Sequence, residues 1–87
     1  MEGRARVAWN LRRLRAAKGL SQVRLGADAE VNKTFLGQIE RAEENVSIDV
    51  LERLAVALGC DIRDFFNKPV EGDERPSALK SGRRSKN

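Results

Sequence analysis

The sequence predicts an all-α domain of five short helices, and three observations support this fold class. Four segments share one pattern, in which an apolar residue precedes a helix-capping residue and a second apolar residue follows four positions after the cap. Apolar residues then recur at three- and four-residue spacings, as on one face of a helix. No stretch alternates apolar and polar residues for long enough to predict a convincing strand.

The first helix is predicted from about Arg4 to Lys18. Val7 and Leu11 begin its apolar stripe. Gly19 follows directly and suits the left-handed backbone that commonly ends a helix.

The second and third helices are short and closely joined. Ser21 is the predicted cap of a two-turn helix that ends near Asp28 or Ala29, and Asn32 is the cap of the next, which runs to about Arg41. Two helices joined by three or four residues must cross steeply close to the turn. The spacing therefore predicts a helix-turn-helix whose second helix is held away from the body of the domain.

Gly26 stands inside the second predicted helix, where glycine costs up to about 1 kcal/mol relative to alanine. Close packing would justify that cost, because Leu25 beside it has the character of a core residue. The alternative is a glycine on the surface with no structural role.

Two further helix starts follow, at Ser47 and at Asp61, with Gly59 as the stop between them. After Phe66 the apolar spacing ends. Residues 1–66 are therefore the predicted domain, and residues 67–87, which contain two prolines and are rich in charge, are predicted to form a disordered basic tail.

The composition excludes several classes of protein. Cys60 is the single cysteine and the chain has no histidine, so neither an intramolecular disulfide nor a common zinc site is expected. We predict no catalytic residue, no metal, no cofactor and no enzyme activity, because no nucleophile with a base and no glycine-rich phosphate loop is present. No signal peptide or membrane span is expected, and a cytoplasmic protein is predicted.

The net charge of +4 is unevenly distributed along the chain. Residues 1–18 carry six basic residues and one glutamate, whereas residues 42–66 carry two arginines and six acidic residues. Residues 67–87 carry six basic and three acidic residues. One face could therefore meet phosphates while another faces away from them, although a solvated surface with scattered charges is an equal alternative.

Residues 11–66 resemble the lambda repressor/Cro-type helix-turn-helix domain, the Xre family. The resemblance rests on LRRLRAAKGLSQ, VNKTFLGQIER and NVSIDVLERLAVALG, which occur in the expected order. The wording around Asn45 to Ile48 is also similar to the controller proteins of restriction–modification systems. The resemblance implies a five-helix lambda-repressor-like bundle. It also implies a transcriptional regulator, more often repressor than activator, that binds an inverted repeat of double-stranded DNA as a homodimer.

The resemblance also assigns DNA-facing residues. Gln22 matches a phosphate-gripping position at the start of the second helix. The exposed recognition-helix positions are Asn32, Lys33, Thr34 and Gln38, with Phe35 as either a partly buried wedge or a backbone contact. Lysine can donate to guanine and glutamine can pair with adenine. Further phosphate contacts are expected from Arg12, Arg13, Lys18 and Arg41.

Three more expectations follow from the same match. Arg15 and Glu40 match an ion pair that ties the first helix to the recognition helix. Glu30 stands where the family usually has glycine, so it must adopt a left-handed backbone at a cost of about 1–2 kcal/mol, or the turn must be remodelled. Ala42 replaces another family glycine, which suggests a different exit from the recognition helix.

The partners expected are double-stranded DNA and a second copy of the chain. The dimer surface is predicted within residues 46–66, with Val50, Ile62 and Phe65 as candidates, because that acidic segment lies far from the basic front in charge. The competing class is a protein-interaction adaptor or an antitoxin whose DNA binding is secondary, with a protein partner bound through the tail. Trp9 has no predicted role.

Overall fold

The computed structural model describes residues 2–68, and the predicted tail lies outside the described residues from residue 69 onward. Four α-helices follow one another in this part of the chain: α1 (Gly3–Lys18), α2 (Gln22–Ala29), α3 (Lys33–Glu40) and α4 (Ile48–Leu58). A short 3-10 helix, Ile62–Phe66, comes last. None of these helices is long and apolar enough to cross a membrane.

The predicted helix ends are confirmed by their hydrogen bonds. The Ser21 and Ser47 hydroxyls each accept a hydrogen bond from the backbone three residues later, and the Asn32 side chain accepts two, from Thr34 and Phe35. Gly19 and Gly59 both have the left-handed backbone expected of them, with φ of 71° and 69°. Local sequence therefore determines where α2, α3 and α4 begin and where α1 and α4 end.

The core lies where α1, α2, α3 and α4 meet beneath the 3-10 helix. Leu11, Leu25, Leu36, Leu54 and Phe65 are completely buried there. These residues come from every element of the described chain, so no element can be removed without exposing apolar surface to water.

The turn between α2 and α3 is the most tightly built part of the fold. A methyl group added to Gly26 would lie 2.6 Å from the carbonyl oxygen of Val31, a distance that Cβ atoms essentially never show. The N–H of Val31 also donates to the carbonyl of Gly26 at 2.8 Å. The close approach predicted for this glycine is confirmed, and the group that approaches is the backbone of the turn itself.

Two residues without glycine's freedom occupy left-handed backbone. Glu30 ends α2 with φ of 59°, which confirms that the turn keeps a left-handed residue. Ala42 follows α3 with φ of 62°, and the N–H groups of Ala42 and Glu43 bond back to α3. The exit from α3 was expected to differ, but its backbone is one that glycine would adopt with less strain.

The expectation of a fifth α-helix is wrong. The segment after Asp61 is a 3-10 helix of five residues, held by reciprocal capping between Asp61 and Asp64. It is fixed to α1 by the buried amide of Asn10, whose nitrogen lies 3.0 Å from the carbonyl oxygen of Phe65 and 2.8 Å from that of Asn67. The carbonyls of Phe65 and Asn67 are turned toward Asn10, and the backbone of Asn67 is already extended. The segment therefore does not continue as an α-helix.

Not every residue on the predicted apolar stripes is buried. Phe65 is fully buried in the core, so it cannot cross a dimer interface as was considered. Ile48 and Phe66 instead remain 61% and 42% exposed. Both line a groove between the start of α1 and the start of α4.

We predict that Glu30→Gly raises the free energy of unfolding by up to about 1 kcal/mol, because glycine relieves the left-handed strain at this position. Urea denaturation followed by circular dichroism measures the change. Glu30→Ala is the matched control, since it removes the same carboxylate but keeps Cβ, and it should give no such gain. A loss of stability in Glu30→Gly would contradict a strained turn.

Candidate nucleic-acid interface

The start of α3 presents its side chains to solvent. Lys33 and Thr34 are exposed on the first turn of the helix, and Gln38 is half-buried one turn further along. Leu36 and Ile39, on the opposite side, are buried in the core. The helix therefore offers one polar face to a partner while the core holds the other.

Asn32 and Phe35 have structural contacts beside the same face. The carboxamide oxygen of Asn32 caps α3 by accepting from the N–H groups of Thr34 and Phe35, at 2.7 and 3.3 Å. Phe35 is half-buried against the core, which fits the partly buried wedge that was one of its two predicted roles. Both residues set the position of the first turn of α3.

A buried carboxylate fixes the other end of α3. Glu40 is only 3% exposed, and its two oxygens accept hydrogen bonds from the Arg15 guanidinium at 2.6 and 3.0 Å. Arg15 also donates to the carbonyl of Leu20, in the loop before α2. The predicted ion pair between α1 and the recognition helix is thus present, and it reaches the loop that leads into α2 as well.

The same carboxylate holds Gln22, the first residue of α2. The Gln22 amide nitrogen donates to Glu40 at 2.9 Å, so one carboxylate joins residues of α1, α2 and α3. A carboxylate has enough acceptor sites for all of these donors. Gln22 therefore sits at a fixed position beside α3.

Arg12 has a structural contact that its charge did not reveal. Its guanidinium donates to the backbone carbonyl of Glu40, at the last turn of α3. A cation at this end of a helix also meets the negative end of the helix dipole. The two arginines of α1 that face α3, Arg12 and Arg15, both attach the recognition helix to the rest of the domain.

A cleft with a volume of about 520 Å³ lies between α1 and the end of α3. Its lining includes Gln22 and Gly37 beside Arg41, and Ala5, Ala8 and Trp9 on the α1 side. Trp9 is buried there with the Arg13 guanidinium 5.4 Å from the centre of its ring, a cation–π arrangement. Trp9 had no predicted role, because helical spacing puts it on the side of α1 opposite Val7 and Leu11, outside the core stripe.

Arg13 and Lys18 do not line this cleft, although Arg13 packs on Trp9 beside it. Arg13 donates to the side-chain oxygen of Asn10 at 3.1 Å, on the side of α1 that faces the 3-10 helix. Lys18 lies near Gly59, at the end of α4. The predicted interface residues that do lie together are at the start of α2 and along α3.

The family model for a helix-turn-helix domain matches residues 6–64 of the chain. A hypothetical transcription factor of Neisseria meningitidis is 36% identical over 68 residues, which is 78% of this chain and 64% of that protein. Control protein C.BamHI of Bacillus amyloliquefaciens is 33% identical over 64 residues, covering 72% of this chain and 79% of that one. The chain thus spans just under two thirds of the Neisseria relative's length.

Two solved structures have similar folds. The restriction-modification controller protein C.AhdI from Aeromonas hydrophila has a TM-score of 0.71 at 36% identity, with 72% of this chain and 96% of that chain covered. The hypothetical transcription factor NHTF from Neisseria has a TM-score of 0.75 at 31% identity, with 78% of each chain covered. The described helices therefore have the arrangement of these two proteins.

We predict that Glu40→Ala lowers the free energy of unfolding by about 3 kcal/mol, because it leaves the Arg15 guanidinium without its buried carboxylate. Any affinity for DNA should fall with it, since α3 and Gln22 lose their common anchor. Chemical denaturation and fluorescence anisotropy with labelled duplex measure the two effects.

Asp28→Ala is the matched control for that experiment, because Asp28 pairs with Arg24 at the surface and exposed pairs contribute less than about 1 kcal/mol. Glu40→Gln keeps the shape of the side chain, so it should lower the affinity for DNA less than Glu40→Ala does. If Glu40→Ala altered neither stability nor affinity, the carboxylate would not position the recognition helix.

Proposed function

The chain belongs to the helix-turn-helix domain family, and from this premise we propose that it is a transcriptional regulator that binds specific sequences in double-stranded DNA. The observation that carries the proposal is the exposed face of α3, held at both ends by caps and buried contacts. Lys33 and Thr34 lie on that face with Gln22 beside it. A helix presented in this way can enter the major groove.

The chemistry of the face suits the edges of bases. Lys33 can donate to O6 and N7 of guanine, and Gln38 can both donate to and accept from adenine. The methyl and hydroxyl groups of Thr34 can meet the methyl group of thymine or a phosphate oxygen. We propose these three residues as the source of sequence specificity.

Phosphate contacts would hold this helix in the groove. Gln22 and Arg41 flank α3 and are the donors best placed for the DNA backbone. Asn32 and Phe35 would act at the first turn of the helix. Arg12 supports α3 from behind, while the more distant Arg13 and Lys18 would contribute through long-range attraction.

We further propose that the chain acts in the cytoplasm as a homodimer on an inverted repeat. The exposed Ile48 and Phe66 line one groove together with Val46, within the segment predicted to form the dimer surface. Burying these side chains against a second copy would remove apolar surface from water. A two-fold dimer would place two copies of α3 about one helical turn of DNA apart, roughly 34 Å.

The sign of regulation that we propose is repression. A restriction–modification controller protein and other control proteins are among the relatives. Control would then depend on the concentration of the protein and on its dimerisation.

Selection from a random duplex library tests the proposal directly. The purified 87-residue chain near physiological salt should enrich an inverted repeat with half-sites about one helical turn apart. A bound pool without any motif would overturn the proposal and favour an adaptor or antitoxin. Because affinity for DNA depends steeply on salt, the selection is repeated at two salt concentrations.

Lys33→Ala should weaken binding to the selected duplex by about tenfold or more and relax the preference at one base pair, because the bidentate contact to guanine is lost. Lys18→Ala is the matched control, since it removes the same charge from an exposed lysine that lies beside α4. It should weaken binding much less. Equal losses in the two variants would mean that Lys33 provides charge but no specificity.

Ile48→Asp should convert the dimer to a folded monomer, because the substitution places a charge where an apolar side chain would be buried against the second copy. Analytical ultracentrifugation measures the mass and circular dichroism checks the fold. Val56→Asp is the matched control: Val56 is exposed on the same helix but lines a different groove, beside α2. If Ile48→Asp stayed dimeric, the interface would lie elsewhere.

A further inference from the structure

Gly37 lies in the middle of α3, where glycine is an unfavourable helix residue by about 1 kcal/mol relative to alanine. It is not in left-handed backbone, so conformational freedom does not explain it. The side chains that surround Gly37 explain its presence. A methyl group at this position would lie 3.2 Å from the Nη1 atom of Arg41, and 3.8 and 4.0 Å from the two amide atoms of Gln22.

The two side chains that converge over Gly37 are each held by a different carboxylate. The Gln22 amide donates to the buried Glu40 carboxylate, which leaves its second N–H for another acceptor. The Arg41 side chain is 59% exposed, and its Nε donates to Glu43 at 3.1 Å. That bond occupies one edge of the guanidinium and leaves the Nη1 end over the helix.

We propose that Gly37 is a positioning residue whose missing side chain lets Arg41 and Gln22 close over α3 as a clamp for a single DNA phosphate. The inference rests on the proposed function, and it adds which backbone contact the two donors share. Arg41 supplies the charge and a charge-assisted hydrogen bond, and Gln22 supplies a neutral N–H. A methyl group at position 37 would contact both donors and would require the Arg41 guanidinium to move by a few tenths of an ångström.

A double-mutant cycle on the selected duplex tests the clamp. Arg41→Ala and Gln22→Ala are each expected to weaken binding, Arg41→Ala by about tenfold. If both donors hold one phosphate, the loss in the double variant is smaller than the product of the single losses. The slope of log K against log salt should fall by about 0.9 in Arg41→Ala and stay unchanged in Gln22→Ala.

Gly37→Ala tests the positioning role. It should weaken binding by about threefold in the wild-type background and have no effect in the Arg41→Ala background, because only the displacement of Arg41 matters. Its thermal stability should not fall, since alanine favours the helix. Arg63→Ala, which removes one exposed positive charge from the 3-10 helix, is the control for the change of net charge in Arg41→Ala.

Three outcomes would overturn the clamp. Losses that multiply in the double variant would place Arg41 and Gln22 on separate phosphates. An equal loss from Gly37→Ala in both backgrounds would mean that the glycine admits DNA directly and does not position Arg41. Wild-type protein that selects no duplex would overturn the proposed function, and the clamp with it.

Discussion

The arrangement of the helices depends on one buried carboxylate. Glu40 lies at the end of the recognition helix, and its oxygens bind Arg15 of α1 and Gln22 of α2. Taking a carboxylate out of water is costly unless its lone pairs are satisfied, so these donors must be present for the helix to pack as it does. The electrostatic requirement of a single side chain thus determines how three helices meet.

The short turn before α3 fixes the other end of that helix. Gly26 admits the backbone of Val31, and Glu30 accepts a left-handed conformation that costs a residue with Cβ about 1–2 kcal/mol. That strain can persist because α2 and α3 are both anchored in the core and through Glu40. The position of the recognition helix is over-determined, as a rigid binding face requires.

Much of the fold could be predicted from local sequence. Capping residues such as Ser21 and Asn32 act on the backbone within three residues, so their roles are legible without any tertiary information. The fifth element could not be predicted as a 3-10 helix, because apolar spacing over five residues does not distinguish the two helix types. The role of Asn10 was missed because two of the carbonyls that accept from its amide, those of Phe65 and Asn67, lie more than fifty residues away in sequence.

The structure brings the predicted residues at the start of α2 and along α3 together, but the contacts that each arginine makes could not be predicted from the sequence. Arg12 and Arg13 are neighbours in sequence, yet on a helix they point about 100° apart. Arg12 consequently meets the end of α3, whereas Arg13 meets Trp9 and Asn10. Which of two adjacent arginines contacts α3 depends on the element that packs opposite each one. A count of basic residues therefore overstates the hydrogen-bond donors that this domain can offer to a phosphate, because Arg12 and Arg15 already donate N–H groups to Glu40 within the domain.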